Sequence, residues 1–92
     1  GDADRAGLSS MEARRRDKEA QAQQRRLEKE RKRVEDSIAE TEAKIEWTQS
    51  EMCREEVYTD HVKIAAYQSD LNHLQELLSK TYEAWIALNE QE

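Results

Sequence analysis

Apolar and small residues recur along this chain in two series, which advance by alternating steps of three and four residues or by a full seven. The first series is Ala20, Leu27, Val34, Ile38, Thr41, Ile45, Thr48 and Met52, and the second is Ile64, Tyr67, Leu71, Leu74, Leu78, Thr81, Trp85 and Leu88. This spacing keeps one stripe of a helix facing a partner helix, as in a coiled coil. The pattern therefore predicts two long helices joined along one seam, the name used below for these two series.

A short break, residues 54–60 (Arg-Glu-Glu-Val-Tyr-Thr-Asp), separates the two series. A connection this short turns the second helix back antiparallel onto the first. The sequence has no proline, and its two glycines, Gly1 and Gly7, precede the first series, so nothing after Leu8 interrupts a helix. We predict an all-α fold, a two-helix antiparallel coiled-coil hairpin with a longer first helix.

Local signals give the expected boundaries. Residues 1–9 have no periodicity and are expected to be a disordered leader or an expression remnant. The capping-box pattern from Ser9 to Glu12 starts the hairpin, which covers residues 10–92, with a first helix over 10–54. The tip is predicted over 55–59, with Val57 and Tyr58 folded back over the end of the hairpin. The second helix is predicted over 60–90, with Thr59 or Asp60 as its N-cap.

Matching the two series in opposite directions gives a register in which Thr48 faces Tyr67 and Arg31 faces Trp85. Arg31 then either stacks on the indole ring as a cation–π pair or lays its aliphatic stem over the seam. The second helix ends near Gln91, so residues 10–23 are expected to extend past their partner.

The net charge of −6 conceals a division. Residues 14–33 contain ten basic and four acidic residues, a net of +6, whereas residues 34–92 contain four basic and fourteen acidic residues, a net of −10. The overall acidity argues against nucleic acid as a partner, but the segregated basic segment reopens that possibility.

The basic segment is the candidate nucleic-acid-binding site. Its candidate contact residues are Arg14, Arg15, Arg16, Lys18, Arg25, Arg26, Lys29, Lys32 and Arg33. We expect Arg15, Arg26 and Arg33 to share one stripe. The residues expected to spread around much of the helix are Arg14, Lys18, Arg25, Lys29 and Lys32. A basic stripe suits phosphate backbones, which are bound through counterion release with little sequence information. The alternative is a solvated coiled-coil face whose charges pair locally with Glu28, Glu30 and Glu35.

Catalytic chemistry has no support in the sequence. There is no glycine-rich phosphate loop and no nucleophile–base set, so we predict no catalytic residue, no cofactor and no enzyme activity for this chain. Cys53, Asp60 and His61 cluster near the tip, but they fall short of the four ligands of a structural metal site, so no metal is predicted. Trp47 lies off the seam, where it either folds against the second helix or forms part of a docking surface.

The sequence gives no sign of a membrane or of export. No apolar run approaches the roughly 18–20 residues that cross a bilayer, and no signal peptide opens the chain. The single cysteine fits a reducing compartment. We therefore expect no membrane partner and a cytoplasmic location.

Four segments carry a family resemblance. They are residues 25–30 (Arg-Arg-Leu-Glu-Lys-Glu), the repeated Glu-x-x-Ile pattern over 34–45, the tip over 51–60, and the ending over 82–88 (Tyr-Glu-Ala-Trp-Ile-Ala-Leu). Through them, the stretch from about Lys18 to Glu92 resembles the C-terminal domain of ABC-F proteins, particularly the Uup-like branch of bacteria.

The resemblance implies a function that lies beyond these residues. ABC-F proteins are soluble tandem ATPases that act on the ribosome in translation, and some confer resistance to antibiotics. Their C-terminal extension is an antiparallel coiled-coil hairpin, which in Uup-like members is associated with DNA or RNA binding. This chain has no Walker sequence, so any ATP hydrolysis would belong to a parent protein.

We accordingly predict a non-catalytic C-terminal coiled-coil domain that contacts ribosomal RNA or DNA through its basic stretch. Its other partners would be the parent ATPase domains, and the chain is expected to be monomeric with weak self-association. The alternative is a protein-interaction or structural coiled coil that docks on its parent ATPase or self-associates.

Overall fold

The computed structural model describes the backbone of residues 2–91 and the side chains of residues 5–91. Over this range it contains three helices and no strand: α1 (Asp2–Met52), α2 (Glu55–Tyr58) and α3 (His61–Glu90). The predicted all-α hairpin with a longer first helix is confirmed. The chain divides into two compact units, Gly1–Glu30 and Arg31–Glu92, here called the first unit and the hairpin unit. The boundary falls inside α1.

The seam forms the core of the hairpin unit. Val34, Ile38 and Leu71 of the seam are buried, as is Val57 of the tip, and the other apolar seam positions from Ile45 onward are half-buried. Burying an aliphatic side chain stabilises a fold by about 1.5–3 kcal/mol, so these few layers supply most of the driving force.

Two threonines, Thr41 and Thr48, are buried in the same seam. Each hydroxyl donates to the backbone carbonyl four residues earlier on α1, that of Ser37 and of Lys44, both at 2.8 Å. This local bond satisfies a polar group that would otherwise be costly to bury. Small satisfied threonines therefore occupy the seam where the opposite helix contributes larger side chains.

The tip contains a single helical turn, α2, between two extended residues. Val57 is only 3% exposed and closes the end of the seam, whereas Tyr58 remains 56% exposed. The expectation that both fold back is correct for Val57 and wrong for Tyr58, because consecutive residues of a helical turn point in different directions. Asp60 caps α3, since its Oδ1 accepts hydrogen bonds from the amides of Val62 (3.0 Å) and Lys63 (3.2 Å).

The predicted register holds near the tip. Tyr67 donates its hydroxyl to Oε2 of Glu51 at 3.4 Å, and its ring meets the ring of Trp47. These two contacts lie on either side of Thr48, the predicted partner of Tyr67.

Toward the other end of the hairpin unit the contacts are displaced by about one helical turn. The Nε of Arg31 donates to Oδ1 of Asn89 at 3.1 Å, one turn beyond its predicted partner, Trp85. Trp85 instead lines a groove beside Glu35 and Ile38. Long helical side chains lean toward the N-terminus of their own helix. In an antiparallel pair the side chains of the two helices therefore lean in opposite directions. Matching seam positions by backbone number alone ignores this displacement.

The start of α1 also differs from the expected boundary. The helix begins at Asp2, so the Ser9–Glu12 pattern lies inside the helix and does not cap it. Gly7 is helical as well. One glycine costs a helix about 1 kcal/mol relative to alanine, which the long flanking helix tolerates. Residue 1 of the expected leader lies outside the described residues.

Candidate nucleic-acid interface

Every one of the nine basic side chains proposed from the sequence is exposed on α1. Seven of them belong to the first unit: Arg14, Arg15, Arg16, Lys18, Arg25, Arg26 and Lys29. The remaining two, Lys32 and Arg33, belong to the hairpin unit. The two groups are described separately.

In the first unit, continuous helix gathers the basic residues on one side. At 100° per residue, Arg14, Lys18, Arg25 and Lys29 fall within about 60° of one another around the axis. The expectation that these residues spread around the helix is wrong, because their steps of four, seven and four residues preserve helical phase. We call this side the basic face.

Two further arginines border the basic face. Arg15 and Arg26 lie about 40–60° beyond Lys29 around the axis, whereas Arg16 lies on a different side of the helix. The four acids of the segment, Asp17, Glu19, Glu28 and Glu30, also fall outside the arc that the basic face and its two border arginines occupy. This arc therefore carries a single sign of charge.

Few of these cations are engaged within the chain. Arg16 pairs with Glu12 at 3.8 Å, and Arg26 donates to the side-chain oxygen of Gln23 at 2.9 Å. Among the residues that the structure describes, Arg14, Arg15, Lys18, Arg25 and Lys29 make no hydrogen bond or ion pair through their side chains. These five side chains are therefore exposed and unpaired within the part of the chain that the structure describes.

The seam residues of the first unit lie on the side opposite the basic face. Ala20 and Leu27 lie about half a turn around the axis from the basic face, and Leu27 is half-buried.

In the hairpin unit the basic run ends. Lys32 pairs with Asp36 at 3.2 Å, with both side chains largely exposed. Such a pair contributes only about 0.3–0.5 kcal/mol. Asp36 and Glu40 then follow Lys32 at four-residue intervals on the same side of α1. Lys32 and Arg33 are therefore the last cations before an acidic surface.

The family model for the ABC transporter C-terminal domain matches residues 18–90, about four fifths of the chain. The chain belongs to the ABC transporter C-terminal domain family. It is thus the C-terminal domain of an ABC protein. No curated protein and no solved structure gives a significant match.

The limits of the family match divide the basic residues of this C-terminal domain. Lys18, Arg25, Arg26, Lys29, Lys32 and Arg33 lie within the matched residues. Arg14, Arg15 and Arg16 precede them, as do two exposed apolar residues, Leu8 and Met11. The family match therefore covers only part of the basic face.

Sequence reasoning missed a groove in the hairpin unit of this C-terminal domain. Its lining residues are Glu35, Ile38, Ala39, Glu42, Tyr82 and Trp85. We call it the aromatic groove. Tyr82 donates its hydroxyl to Oε1 of Glu42 at 2.6 Å, and this bond to a carboxylate raises the pKa of Tyr82 above 10.0. The only sequence signal was that both residues flank the seam.

Trp47 takes the first of its two expected roles. Its ring lies 6.1 Å from that of Tyr67 at an interplanar angle of 64°, an edge-to-face arrangement. The indole nevertheless stays exposed on the flank of the hairpin unit.

The tip residues do not assemble a metal site. No group of three His, Cys, Asp or Glu side chains that would hold a metal ion occurs among the described residues. Cys53 is an exposed free thiol. Its neighbour Arg54 forms salt bridges with Glu51 and Glu56.

None of the helices over the described range is long and apolar enough to cross a bilayer.

Proposed function

We propose that this chain is the C-terminal domain of an ABC-F ATPase and that it contacts nucleic acid, ribosomal RNA or DNA, through the basic stretch of α1. The observation that supports this most strongly is the basic face, whose four cations, with Arg15 at its border, have no side-chain partner among the described residues and no acid between them. The proposed contact residues are those predicted from the sequence. The main contacts are assigned to the basic face, Arg14, Lys18, Arg25 and Lys29. A cytoplasmic location follows from this proposal.

The spacing of the basic face suits a phosphate backbone. Arg14 and Lys29 are about 22 Å apart along the helix axis, with Lys18 and Arg25 between them. A helical row of this length meets several phosphates at once, and each neutralised phosphate releases counterions. Because few packed side chains hold this part of α1, bound phosphates should also stabilise the helix there.

The composition of the first unit favours recognition without base reading. Residues 1–30 contain no Phe, Tyr or Trp on which a base would stack. Arginine and lysine side chains on phosphates fix position and orientation but read no sequence. We therefore expect similar affinities for unrelated sequences.

The acidic hairpin unit restricts which part of the chain nucleic acid should contact. Its net charge repels phosphates while the basic segment attracts them. Nucleic acid should accordingly contact the first unit and leave α3 in solvent.

Fluorescence anisotropy with a labelled duplex tests the nucleic-acid proposal. If four phosphates are contacted, affinity should fall about a hundredfold between roughly 50 and 200 mM salt. The double variant Arg25→Glu/Lys29→Glu should abolish measurable binding. The matched control is Lys63→Glu/Lys80→Glu, which changes the net charge equally on α3 and should bind nearly as well as the unaltered chain. Equal losses in both variants would show only a net-charge effect and would contradict the proposed site.

The ABC-F assignment has a separate test. The gene that encodes this chain should encode two ATP-binding cassettes upstream of it and no membrane-spanning segment between them. A single cassette attached to transmembrane helices would contradict the assignment while leaving the basic face open to the binding test.

A second candidate function is docking on the parent ATPase. Exposed apolar side chains on the hairpin unit, Trp47, Leu77 and Ile86, favour it. In the full-length parent, Leu77→Ser and Ile86→Ser should then alter ATP hydrolysis, whereas Arg25→Glu/Lys29→Glu should not. The reverse pattern would support nucleic-acid contact.

A further inference from the structure

The aromatic groove combines apolar walls with an acidic rim. Ile38, Ala39, Tyr82 and Trp85 form the walls, and Ile86, one turn beyond Tyr82, extends the apolar surface with half of its side chain exposed. The apolar walls and the exposed part of Ile86 thus adjoin one another on the flank of the hairpin unit.

The rim consists of Glu35 and Glu42, two turns apart on α1. Glu42 accepts a hydrogen bond from the hydroxyl of Tyr82. Glu35 has no ion pair among the described residues. A ligand for this groove should therefore present apolar side chains together with cations.

The first unit carries a segment of that chemistry. Leu8 and Met11 are 61% and 56% exposed, although both are large apolar residues. Arg15 and Lys18 follow them in steps of four and three residues, and Met11 and Lys18 line one shallow depression with Arg14 and Arg15. The stripe Leu8, Met11, Arg15, Lys18 thus joins two apolar residues to two unpaired cations.

The two surfaces match in spacing as well as in chemistry. The stripe steps by three, four and three residues, and Glu35, Ile38 and Glu42 step by three and four. These are the steps that bring successive side chains of one helix into contact with a neighbouring helix. In both surfaces a charged residue follows an apolar one within a single turn.

We propose that the aromatic groove binds the Leu8–Lys18 stripe of a second copy of this chain. Leu8 and Met11 pack against Tyr82 and Trp85 of the other copy, and Arg15 and Lys18 meet the acidic rim. This self-association does not depend on nucleic-acid binding, although Arg15 and Lys18 would serve both.

Sedimentation velocity across a concentration range tests the proposal. The chain should dimerise with a dissociation constant below about 1 mM at low salt and more weakly as salt rises. Leu8→Ser/Met11→Ser should weaken dimerisation at least tenfold. The matched control is Val62→Ser, which removes another exposed apolar side chain, at the tip end of α3, and should dimerise normally. A chain that stays monomeric throughout, or a dimer unaffected by Leu8→Ser/Met11→Ser, would overturn the proposal.

A charge exchange tests the polar half of the contact. Neither Glu35→Lys nor Arg15→Glu should self-associate, because each places like charges opposite one another. An equimolar mixture of the two variants should associate. Circular dichroism of each variant checks that the helices remain, since both positions are exposed. A mixture that is no more associated than its separate components would contradict the proposed pairing.

Two further measurements separate this proposal from nucleic-acid contact. Arg25→Glu/Lys29→Glu should lose nucleic-acid binding and retain dimerisation, whereas Leu8→Ser/Met11→Ser should do the reverse. In a Trp47→Phe background the emission of Trp85 should shift to shorter wavelength as the concentration rises. No shift in a chain that dimerises by sedimentation would place the contact elsewhere and overturn the groove as its site.

Discussion

The two units of this chain share one helix, α1, yet they differ in what stabilises them. In the hairpin unit α1 buries Val34, Ile38 and two satisfied threonines, whereas in the first unit Leu27 is the one large apolar side chain that is even half-buried. Isolated helices are marginal in water, and most helical stability in proteins comes from packing. The comparison indicates a packed acidic scaffold that carries a basic segment held mainly by helix propensity.

The largest expected effect concerns the core of the scaffold. Leu71→Ala should destabilise the hairpin unit by about 2–5 kcal/mol, because Leu71 is only 7% exposed. Leu77, on the same helix, is 50% exposed. Leu77→Ala should cost well under about 1 kcal/mol. Thermal unfolding followed by circular dichroism measures both, and similar losses would show that the seam is not the core.

Most of this core could be predicted from the sequence. Apart from Ala20, every residue of the two apolar series proved buried or half-buried, because three-and-four spacing constrains helix faces strongly. The role of Asp60 as the cap of α3 was likewise one of two predicted options. Capping depends on local chemistry that a short segment of sequence contains.

Other features could not be predicted by the same reasoning. The bond between Tyr82 and Glu42 depends on register to within one turn, and side-chain direction displaced that register. The start of α1 at Asp2 depends on the total helix propensity of residues 2–12, and the cost of one glycine, Gly7, does not end the helix there. The basic face, by contrast, was predictable, because the spacing of Arg14, Lys18, Arg25 and Lys29 already places them on one side of a helix. The expectation that they spread around the helix overlooked this.

The cap of α3 should have the next largest effect. Asp60→Ala should lower the stability of the hairpin unit by about 1 kcal/mol, since it leaves the amides of Val62 and Lys63 without their acceptor. Asp70→Ala, an exposed substitution inside the same helix, serves as the control. Chemical denaturation should place the two midpoints clearly apart. Coincident midpoints would mean that solvent replaces the cap without loss.

A pair of glycine substitutions sharpens the contrast between the units. Ala43 and Ala20 are both exposed on α1, the first in the hairpin unit and the second in the first unit. Ala43→Gly should lower the free energy of unfolding of the hairpin unit by about 1 kcal/mol and so lower the temperature of its cooperative melting. Ala20→Gly should reduce total helicity and leave that melting transition in place. Equal shifts would indicate that the two units unfold together.

The smallest effect expected is a pH dependence at Tyr82. Because Glu42 raises its pKa in the folded state, the folded chain holds the phenolic proton more tightly than the unfolded chain. The resulting stabilisation is present below pH 10.0 and is lost as the pH rises through the higher folded value. Tyr82→Phe should remove this alkaline dependence. A spectroscopic titration of tyrosine that is identical with and without Glu42→Gln would contradict it.

Hydrogen exchange of backbone amides with and without a nucleic-acid duplex tests the central claim most directly. In the free chain, amides over residues 5–30 should exchange much faster than those over 34–52 and 64–88. Added duplex should slow exchange between Arg14 and Lys29 and leave α3 unchanged. Unchanged exchange in the first unit of a chain saturated with duplex, or protection confined to α3, would contradict the account.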